Sequence, residues 1–430
     1  MRRCVVLLCL VSLSVRAAEV TRVASSFDDD KPFGMFLDVG FERTQDKGKI
    51  TREWYEPKAG GLTDVSELRY ILYDVRLNLD AHLGLYKDLE FHFGLPIIFQ
   101  QDRFWNFSAG TGPSNTTLYR NCADAAGMGC VTPGEGQNHL FEVGDAMGNP
   151  SGSFRGGLGD LTFGLAYAFF SQKRDDTKPT WLVSIDYTAP TSAVINPSIV
   201  TASDKRGPTG DRIHRYRFST SISKRIGPLD PYFQLHYTLP WLGPGAYSNC
   251  DDPSPSRMGR PTNCGVAIWD RTETGIKPQH VGGFVFGGEF NMFERAAMHQ
   301  KIAIDLRAWL TYTSEGRTYN EMSDLLGKLL YNSDYMQVGG HFGITGHAAE
   351  FIHLKAYVSW AYNTEHFLTN ESIGTDLNKK GEVGFGTVDP IGNPSELNPN
   401  FDSRIDRVGR RFRISEQMVF KVNVSASFNF

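Results

Sequence analysis

The sequence is dominated by segments in which apolar and polar residues alternate at every second position. From Leu89 to Phe99 every odd-numbered residue is apolar, whereas most even-numbered ones are polar or glycine. Successive side chains of a β-strand point to opposite faces, so such a segment predicts a strand with one apolar and one largely polar face. Several runs are longer than the five or six residues of an average globular strand and reach the roughly nine to eleven that a tilted strand needs to cross a bilayer.

Segments of this kind recur along the whole chain, separated alternately by short and long connections. They cover residues 35–44, 71–83, 89–99, 161–169, 181–187, 215–222, 232–239, 284–290, 302–312, 335–345, 352–362 and 412–430. If all long connections lie on one side, the strand count is even and both chain ends lie on the other side, as in outer-membrane barrels. The pattern predicts an all-β fold, a transmembrane antiparallel up-and-down β-barrel of about twelve strands, with fourteen as the alternative. We expect long extracellular loops and both termini in the periplasm.

A soluble sandwich or lectin-like barrel also alternates apolar and polar residues. Here the apolar rows are rich in Phe, Tyr, Leu and Trp, and the polar rows mix Gly and Ser with charges of both signs, which suits a hydrated lumen. The chain ends on Ser427-Phe428-Asn429-Phe430, which resembles the C-terminal signal of outer-membrane proteins. We therefore expect two partners, outer-membrane lipid and the outer-membrane assembly machinery of a Gram-negative bacterium, the latter through the C-terminal strand.

The N-terminus has the pattern of a secretory signal peptide over residues 1–17. Arg2 and Arg3 precede a short apolar stretch, and Val15-Arg16-Ala17 offers small residues at the spacing of a cleavage site. Cleavage would change the net charge from −4 to about −7, because three arginines and no acidic residue leave. This acidity argues against a nucleic-acid partner. Residues 18–33 are expected to form a short periplasmic segment, and residues 34–430 the barrel with its loops.

The cysteines fall into local pairs. Cys4 and Cys9 leave with the signal peptide, whereas Cys122 and Cys130 share one loop-like stretch and Cys250 and Cys264 share another. In an exported chain such pairs predict two disulfides that staple loops. Their spacing does not fit a CxxC-type metal motif, and we expect neither a metal site nor a cofactor.

A glycine-rich stretch carries a resemblance to a known family. Gly156-Gly157-Leu158-Gly159-Asp160-Leu161-Thr162 opens a strand, and Ala189-Pro190-Thr191-Ser192 closes the next. This resembles the outer-membrane proteins of the phenol meta-pathway type, distant relatives of the long-chain fatty-acid transporters. The resemblance implies uptake of small, hydrophobic or aromatic solutes. In contrast to those transporters, the chain has no Asn-Pro-Ala plug motif and fewer predicted strands.

Ionisable residues occupy the polar rows and are the candidate pore lining. Charges inside a barrel are costly unless they are paired or hydrated. They could select solutes in a pore or form a network that fills the lumen, and the pattern leaves both interpretations open. The candidates are Asp74, Arg76, Asp80, His82, Glu90, His92, Arg215, Arg217, Asp305 and Arg307.

The sequence favours a channel or transporter for passive uptake of small solutes. The main alternative is a closed structural or surface-interaction barrel that presents disulfide-stapled loops. An outer-membrane hydrolase is less expected, because no Ser/His pair lies in the apolar rows, although Asp251, Asp252 and His280 lie in loops. A helix predicted over residues 321–332 could constrict the mouth or pack on neighbouring loops.

Overall fold

The computed structural model describes residues 18–27, 33–56, 61–118, 150–251, 263–295, 298, 300–349, 351–382, 384–389 and 391–430. The signal peptide and the pair Cys122 and Cys130 lie outside these residues. The described chain is all-β. Its strands are β1 (Met35–Glu56), β2 (Gly61–Tyr86), β3 (Leu89–Phe107), β4 (Ser153–Leu158), β5 (Leu161–Phe170), β6 (Thr180–Ala189), β7 (Ile213–Ser223), β8 (Leu229–Leu242), β9 (Val281–Arg295), β10 (Gln300–Thr313), β11 (Gly316–Thr318), β12 (Leu330–Asn332), β13 (Tyr335–Ala349), β14 (Ile352–Asn363), β15 (His366–Phe367) and β16 (Phe412–Asn429).

The strands close into a barrel of twelve. The order around the wall is β1-β2-β3-β5-β6-β7-β8-β9-β10-β13-β14-β16, and β16 pairs with β1 from Phe36↔Asn429 to Arg52↔Phe412. β4 pairs with β3 and β15 with β16, and β11 and β12 form a separate hairpin. The predicted fold class is confirmed, since each of the twelve alternating segments forms a wall strand.

A β-sheet that crosses a bilayer has to close on itself. An unpaired backbone amide in hydrocarbon costs several kcal/mol, and a closed sheet leaves no edge unpaired. Leu306 belongs to the outward row of β10 and is 57% exposed on the surface of the protein alone. Its neighbour Asp305 is 5% exposed and faces inward. Each strand thus presents one row to lipid and one to the lumen.

The helices of the structure are short. α1 (Arg271–Thr274) and α2 (Ser323–Leu326) have four residues each. In the described part of the chain, no helix has the length and apolar character needed to cross a membrane.

Pro96 lies within β3, where its missing amide hydrogen predicts an irregularity of the strand. β3 continues through it, with a bulge at Phe99, where Val75 pairs with Gln100 and Arg76 with Ile98. On the other side the partner strand breaks between β4 and β5, and the Gly159 N–H donates to the Pro96 carbonyl at 2.8 Å. The expected irregularity is therefore present.

The wall is much taller on one side than on the other. β1 and β2 have 22 and 26 residues, whereas β5 and β6 have 10 each. The alternation ends the first predicted strand at residue 44 and predicts a long loop over residues 45–66. This prediction is wrong, because β1 and β2 both continue into that range and pair with each other. The polar residues that suggested a loop contact other loops instead: the buried Arg52 guanidinium donates to the carbonyls of Thr117 and Arg410 at 3.0 and 3.1 Å.

The last strand does not keep one apolar face along its length. Phe412 and Ile414 were expected in the same outward row as Met418, yet both are fully buried, whereas Met418 is exposed. Between Lys47 and Lys49 of β1, β16 advances by one extra residue, and Glu416 adopts a φ of 51°. This bulge exchanges the two faces, because one inserted residue inverts a period of two.

Cys250 and Cys264 form a disulfide with Cα atoms 5.8 Å apart, as predicted. The bond closes part of the connection between β8 and β9.

Candidate functional site: the occluded lumen

We call the barrel end with the short connections, such as residues 87–88 between β2 and β3, the turn end, and the opposite end the loop end. The N-terminal segment, defined as residues 18–27, lies inside the barrel at the turn end. It begins with a 310 turn (Glu19–Thr21), and Ala18, Thr21, Ala24 and Ser26 are buried. Residues 18–27 therefore lie within the lumen, and the periplasmic placement of the segment over residues 18–33 stays a prediction.

The first half of the N-terminal segment contacts several strands of the wall. The Thr21 hydroxyl lies 2.7 Å from the Ser223 hydroxyl of β7, and further contacts are with β9, β14 and the adjoining strands β16 and β1. Glu19 forms an ion pair with Lys355 of β14 at 2.5 Å, and its amide donates to Glu289 of β9 at 2.5 Å. Arg22 donates to Asn429 of β16 at 2.5 Å and lies over the ring of Phe36.

The second half contacts β2, β3 and the turn between them. The Ala24 N–H donates to Glu90 of β3 at 2.5 Å, and the Ser25 hydroxyl to Asp88 at 2.7 Å. Ser26 donates to the Gly84 carbonyl of β2 at 2.5 Å. The segment thus crosses the lumen and is tied to both sides of it.

The loop end is covered by the mouth segment, defined as residues 314–334 between β10 and β13. It contains β11, α2 and β12. The predicted helix over 321–332 is wrong in extent, because Gly327 adopts a left-handed φ of 67° and ends α2 after one turn. The apolar residues that suggested a helix are nevertheless all buried, namely Met322, Leu325, Leu326, Leu329 and Leu330.

The mouth segment packs against both the wall and the other loops. An apolar cluster joins Met322 and Leu325 to Tyr70 and Trp105 on the inner wall, and the Trp105 indole donates to the Glu321 carbonyl at 2.9 Å. The same cluster includes Leu118, Leu368 and Ile405 of neighbouring loops. The two roles considered for this segment, constriction of the mouth and packing on loops, are therefore combined.

Two buried ion pairs hold the mouth segment in place. Arg155 of β4 lies 2.5 Å from Asp324 of α2, and both side chains are buried. Arg317 of β11 forms a bidentate pair with Glu371 at 2.7 Å, also buried. Breaking such a pair by removing one partner costs about 3–5 kcal/mol, because the remaining charge stays buried.

A cavity of 270 Å³ lies in the lumen beside the N-terminal segment. Its walls carry charges of both signs, with Lys355 3.6 Å from Asp38 and Arg307 paired with Asp305. Besides these residues it is lined by Glu19, Asp80, His341 and Tyr357, among others. Such a cavity binds polar groups more readily than apolar ones.

The predicted pore residues fall into four groups. Asp80, Asp305 and Arg307 line the cavity. Asp74 and Arg76 form an ion pair at 2.6 Å nearer the loop end. His82, Glu90 and His92 meet at the turn end, where Glu90 contacts both histidines. Arg215 is paired with Asp211 of the adjoining loop, and Arg217 is opposite Asp186 in the register of β6 and β7.

The charges are extensively paired across strands. Glu42 of β1 lies 3.1 Å from Lys421 of β16, and Asp305 also accepts a hydrogen bond from Tyr232 at 2.6 Å. The described lumen therefore has the character of a network as well as that of a charged lining. Their role in solute selection stays a prediction.

Several functional residues were missed at the level of sequence. Lys355 belongs to the polar row of β14 and could have been found by the same alternation as Arg307. Glu19 and Arg22 could not, because a segment without regular structure has no periodic signal. Arg155 and Asp324 become partners only when the mouth segment folds inward.

The loop residues considered for hydrolysis have other roles in the structure. Asp251 forms an ion pair with Arg271, with 2.7 Å between Nη2 and Oδ2, and His280 lies 2.8 Å from the Tyr237 hydroxyl. Asp252 is outside the described residues. The contact of His280 with a serine is made by its backbone, whose N–H donates to the Ser314 hydroxyl at 2.9 Å.

Comparison of the sequence with family models and with curated proteins finds no match. Among solved structures, the chain is similar to an outer membrane channel of Pseudomonas putida F1, with 11% identity, a TM-score of 0.43, and coverage of 93% of this chain and 96% of the other. It is also similar to a FadL homologue of Pseudomonas aeruginosa, with 9% identity, a TM-score of 0.33, and coverage of 92% and 90%. A third similar structure is the outer membrane protease OmpT of Escherichia coli, with 6% identity, a TM-score of 0.30, and coverage of 95% and 100%.

The resemblance to fatty-acid-transporter-like barrels stays a prediction, because these structures share at most 11% identity with the chain and have TM-scores below 0.5. At these identities and TM-scores, function has to be argued from the geometry of this chain.

Proposed function

We propose that this chain is an outer-membrane channel for passive uptake of small solutes, described here with both ends of its lumen occluded. The observation that carries the proposal is the 270 Å³ cavity in the lumen, which is lined by charged wall residues and by Glu19 of the N-terminal segment. Neither segment is a strand of the wall. Each is held by side-chain contacts that can be released while the twelve-strand ladder stays intact.

The size and charge of the cavity indicate the solute. Sites for drug-sized ligands usually measure about 300–1,000 Å³, so this one suits a molecule of a few heavy atoms. Arg307, Lys355 and the neighbouring carboxylates favour a small polar or charged solute. The family resemblance implies hydrophobic or aromatic solutes instead, so the experiment has to include both classes.

The orientation follows from the connections. Short turns face the periplasm and long loops the cell exterior in barrels of this kind. The N-terminal segment would then occlude the periplasmic end, and the mouth segment the extracellular end. In this arrangement a solute passes two barriers in series.

The experiment is single-channel recording of the refolded mature chain in planar bilayers, combined with swelling of liposomes by arabinose, benzoate and toluene. A variant lacking residues 18–27 removes the turn-end barrier and should raise conductance. Arg307→Gln, which removes a cavity charge, should shift the ion selectivity. Lys205→Gln is the matched control, because Lys205 is an exposed loop residue.

The outcomes separate the channel from its rival. Conductance that rises on deletion and selectivity that follows Arg307 support the channel. If the deletion variant is folded, by heat-modifiable migration, and still passes neither ions nor any of the three solutes, the barrel is closed and its loops carry the function.

A further inference from the structure

Two histidines and one glutamate converge at the turn end of the lumen. His82 of β2 is directly opposite His92 of β3 in the register, and Glu90 precedes His92 by two residues and so shares its face. The ligand atoms of the three side chains lie within 4.8 Å of one another. Their spacing along the chain matches no metal motif, because the set is assembled across two paired strands.

The distances are close to those of a coordination sphere. Zn²⁺ binds imidazole nitrogen and carboxylate oxygen at about 2.0–2.2 Å, which in a tetrahedron places ligand atoms about 3.3–3.6 Å apart. His92 Nδ1 lies 3.6 Å from Glu90 Oε1, which meets this value. His82 Nδ1 lies 2.6 Å from the same oxygen, so the His82 ring would need to move back by less than 1 Å.

The His92 ring is held with its Nδ1 atom toward Glu90 and its Nε2 atom toward Asp186. Its Nε2 lies 2.6 Å from Asp186 of β6, while its buried Nδ1 has no hydrogen-bond partner in the described structure. A carboxylate on the far nitrogen of a histidine is the usual support of a metal-ligating imidazole, because it fixes the tautomer and the ring orientation.

A glycine makes this arrangement possible. A Cβ atom at Gly164 would lie 2.0 Å from His92 Nε2 and 2.5 Å from Asp186 Oδ1, so any other residue would displace the pair. Glu90 is itself buried, and its second oxygen accepts the Ala24 N–H of the N-terminal segment at 2.5 Å. The group therefore lies where the wall meets the segment that occludes the lumen.

We propose that His82, Glu90 and His92 bind a divalent transition-metal ion of the Zn²⁺ type, with Asp186 as a positioning residue for His92. Two imidazoles and a carboxylate favour Zn²⁺, Cu²⁺ or Ni²⁺ over Ca²⁺ and Mg²⁺, which prefer oxygen ligands. Because Glu90 contacts the N-terminal segment, the ion would also connect that segment to β2 and β3. The proposal does not depend on whether the barrel conducts.

The test is titration of the refolded mature chain with Zn²⁺ by calorimetry and with Co²⁺ by visible absorption. We expect one ion per chain and a Co²⁺ spectrum of low coordination number. His82→Asn and His92→Asn should each weaken binding by more than the roughly 10- to 100-fold that loss of a supporting group costs, and Asp186→Asn should fall within that range. His236→Asn, a change of another lumen histidine, should leave the affinity unchanged.

Gly164→Ala gives a second, independent variant, because it retains all three ligands and should still lower the affinity. Heat-modifiable migration establishes that each variant is folded. The proposal is overturned if the folded wild-type chain binds no Zn²⁺ at about 1 mM, the concentration of the weakest specific sites. Binding that is equally strong in folded His82→Asn and His92→Asn overturns it as well, and leaves the group as a network of paired charges.

Discussion

Replacement of Arg155 by Met should release the mouth segment from the loop end. The Arg155 guanidinium is fully buried and holds Asp324 of α2 at 2.5 Å. It also donates to the carbonyls of Pro208 and Asn196 at 3.1 and 3.3 Å. Methionine fills much of the same volume and removes the charge.

The magnitude follows from the charge that is left behind. Loss of one partner of a buried ion pair costs about 3–5 kcal/mol, because the other remains desolvated. Ser153 and Tyr319 still donate to Asp324, so the lower value of about 3 kcal/mol applies. Since about 1.4 kcal/mol corresponds to a factor of ten, the population with a displaced mouth segment should rise roughly 100-fold.

The assay is the rate at which a maleimide modifies Met322→Cys, without reductant. Met322 is fully buried in the mouth segment, so its modification reports on displacement of that segment. The rate of modification in Arg155→Met/Met322→Cys should exceed the rate in Met322→Cys alone roughly 100-fold. The double variant Arg155→Met/Asp324→Leu should return most of the way, because replacing both charges by apolar side chains removes the desolvation cost. If the rates of folded Arg155→Met and its parent differ by less than about threefold, which is about 0.6 kcal/mol, the ion pair does not hold the segment.

Three further predictions concern the loops and the wall. Reduction of Cys250–Cys264 should leave heat-modifiable migration intact and expose only the β8–β9 connection to protease, at a local cost of about 3 kcal/mol for a loop of this length; loss of the folded band would contradict it. Gly339→Ala should lower the free energy of unfolding by about 1–3 kcal/mol, because its Cβ would lie 2.1 Å from the Trp309 ring, whereas Gly346→Ala on the same strand meets nothing within 4 Å and should be near neutral in denaturant titration. Burial raises the pKa of the loop residue Asp406 from 3.8 to about 7, so its contribution to stability is complete below pH 3.8 and is lost as the pH rises through 7. Proteolysis of the loop end should therefore accelerate between about pH 4 and pH 7, and Asp406→Asn should remove that dependence if Asp406 is its cause.

The wall could be predicted from the sequence because lipid and lumen act on every second residue. Each of the twelve alternating segments is a strand in the barrel, and the Pro96 irregularity followed from a missing amide hydrogen. Alternation fails where one residue is inserted. The bulge at Glu416 turns Phe412 and Ile414 inward. There they pack against apolar loop residues, so an apolar side chain in this part of β16 does not indicate a lipid-facing position.

The candidate site was less predictable because its parts meet only in three dimensions. His82 and His92 were correctly placed in the polar rows, but their common distance to Glu90 depends on a cross-strand register that no local pattern contains. The N-terminal segment has too few residues for any period. Its position depends on single contacts, such as Glu19 with Lys355, between residues 336 positions apart.

The wall and the occluding segments therefore differ in how their stability is distributed. The wall is a continuous ladder in which no single side chain dominates, and a surface substitution usually changes stability by less than about 0.5 kcal/mol. The mouth segment depends on a few buried ion pairs. Loss of one partner of such a pair lowers the stability by about 3–5 kcal/mol. Substitutions at Arg155, Asp324, Arg317 or Glu371 should consequently alter access to the lumen while the barrel stays folded. This separation is what a channel requires, because its ends have to open many times without unfolding the barrel.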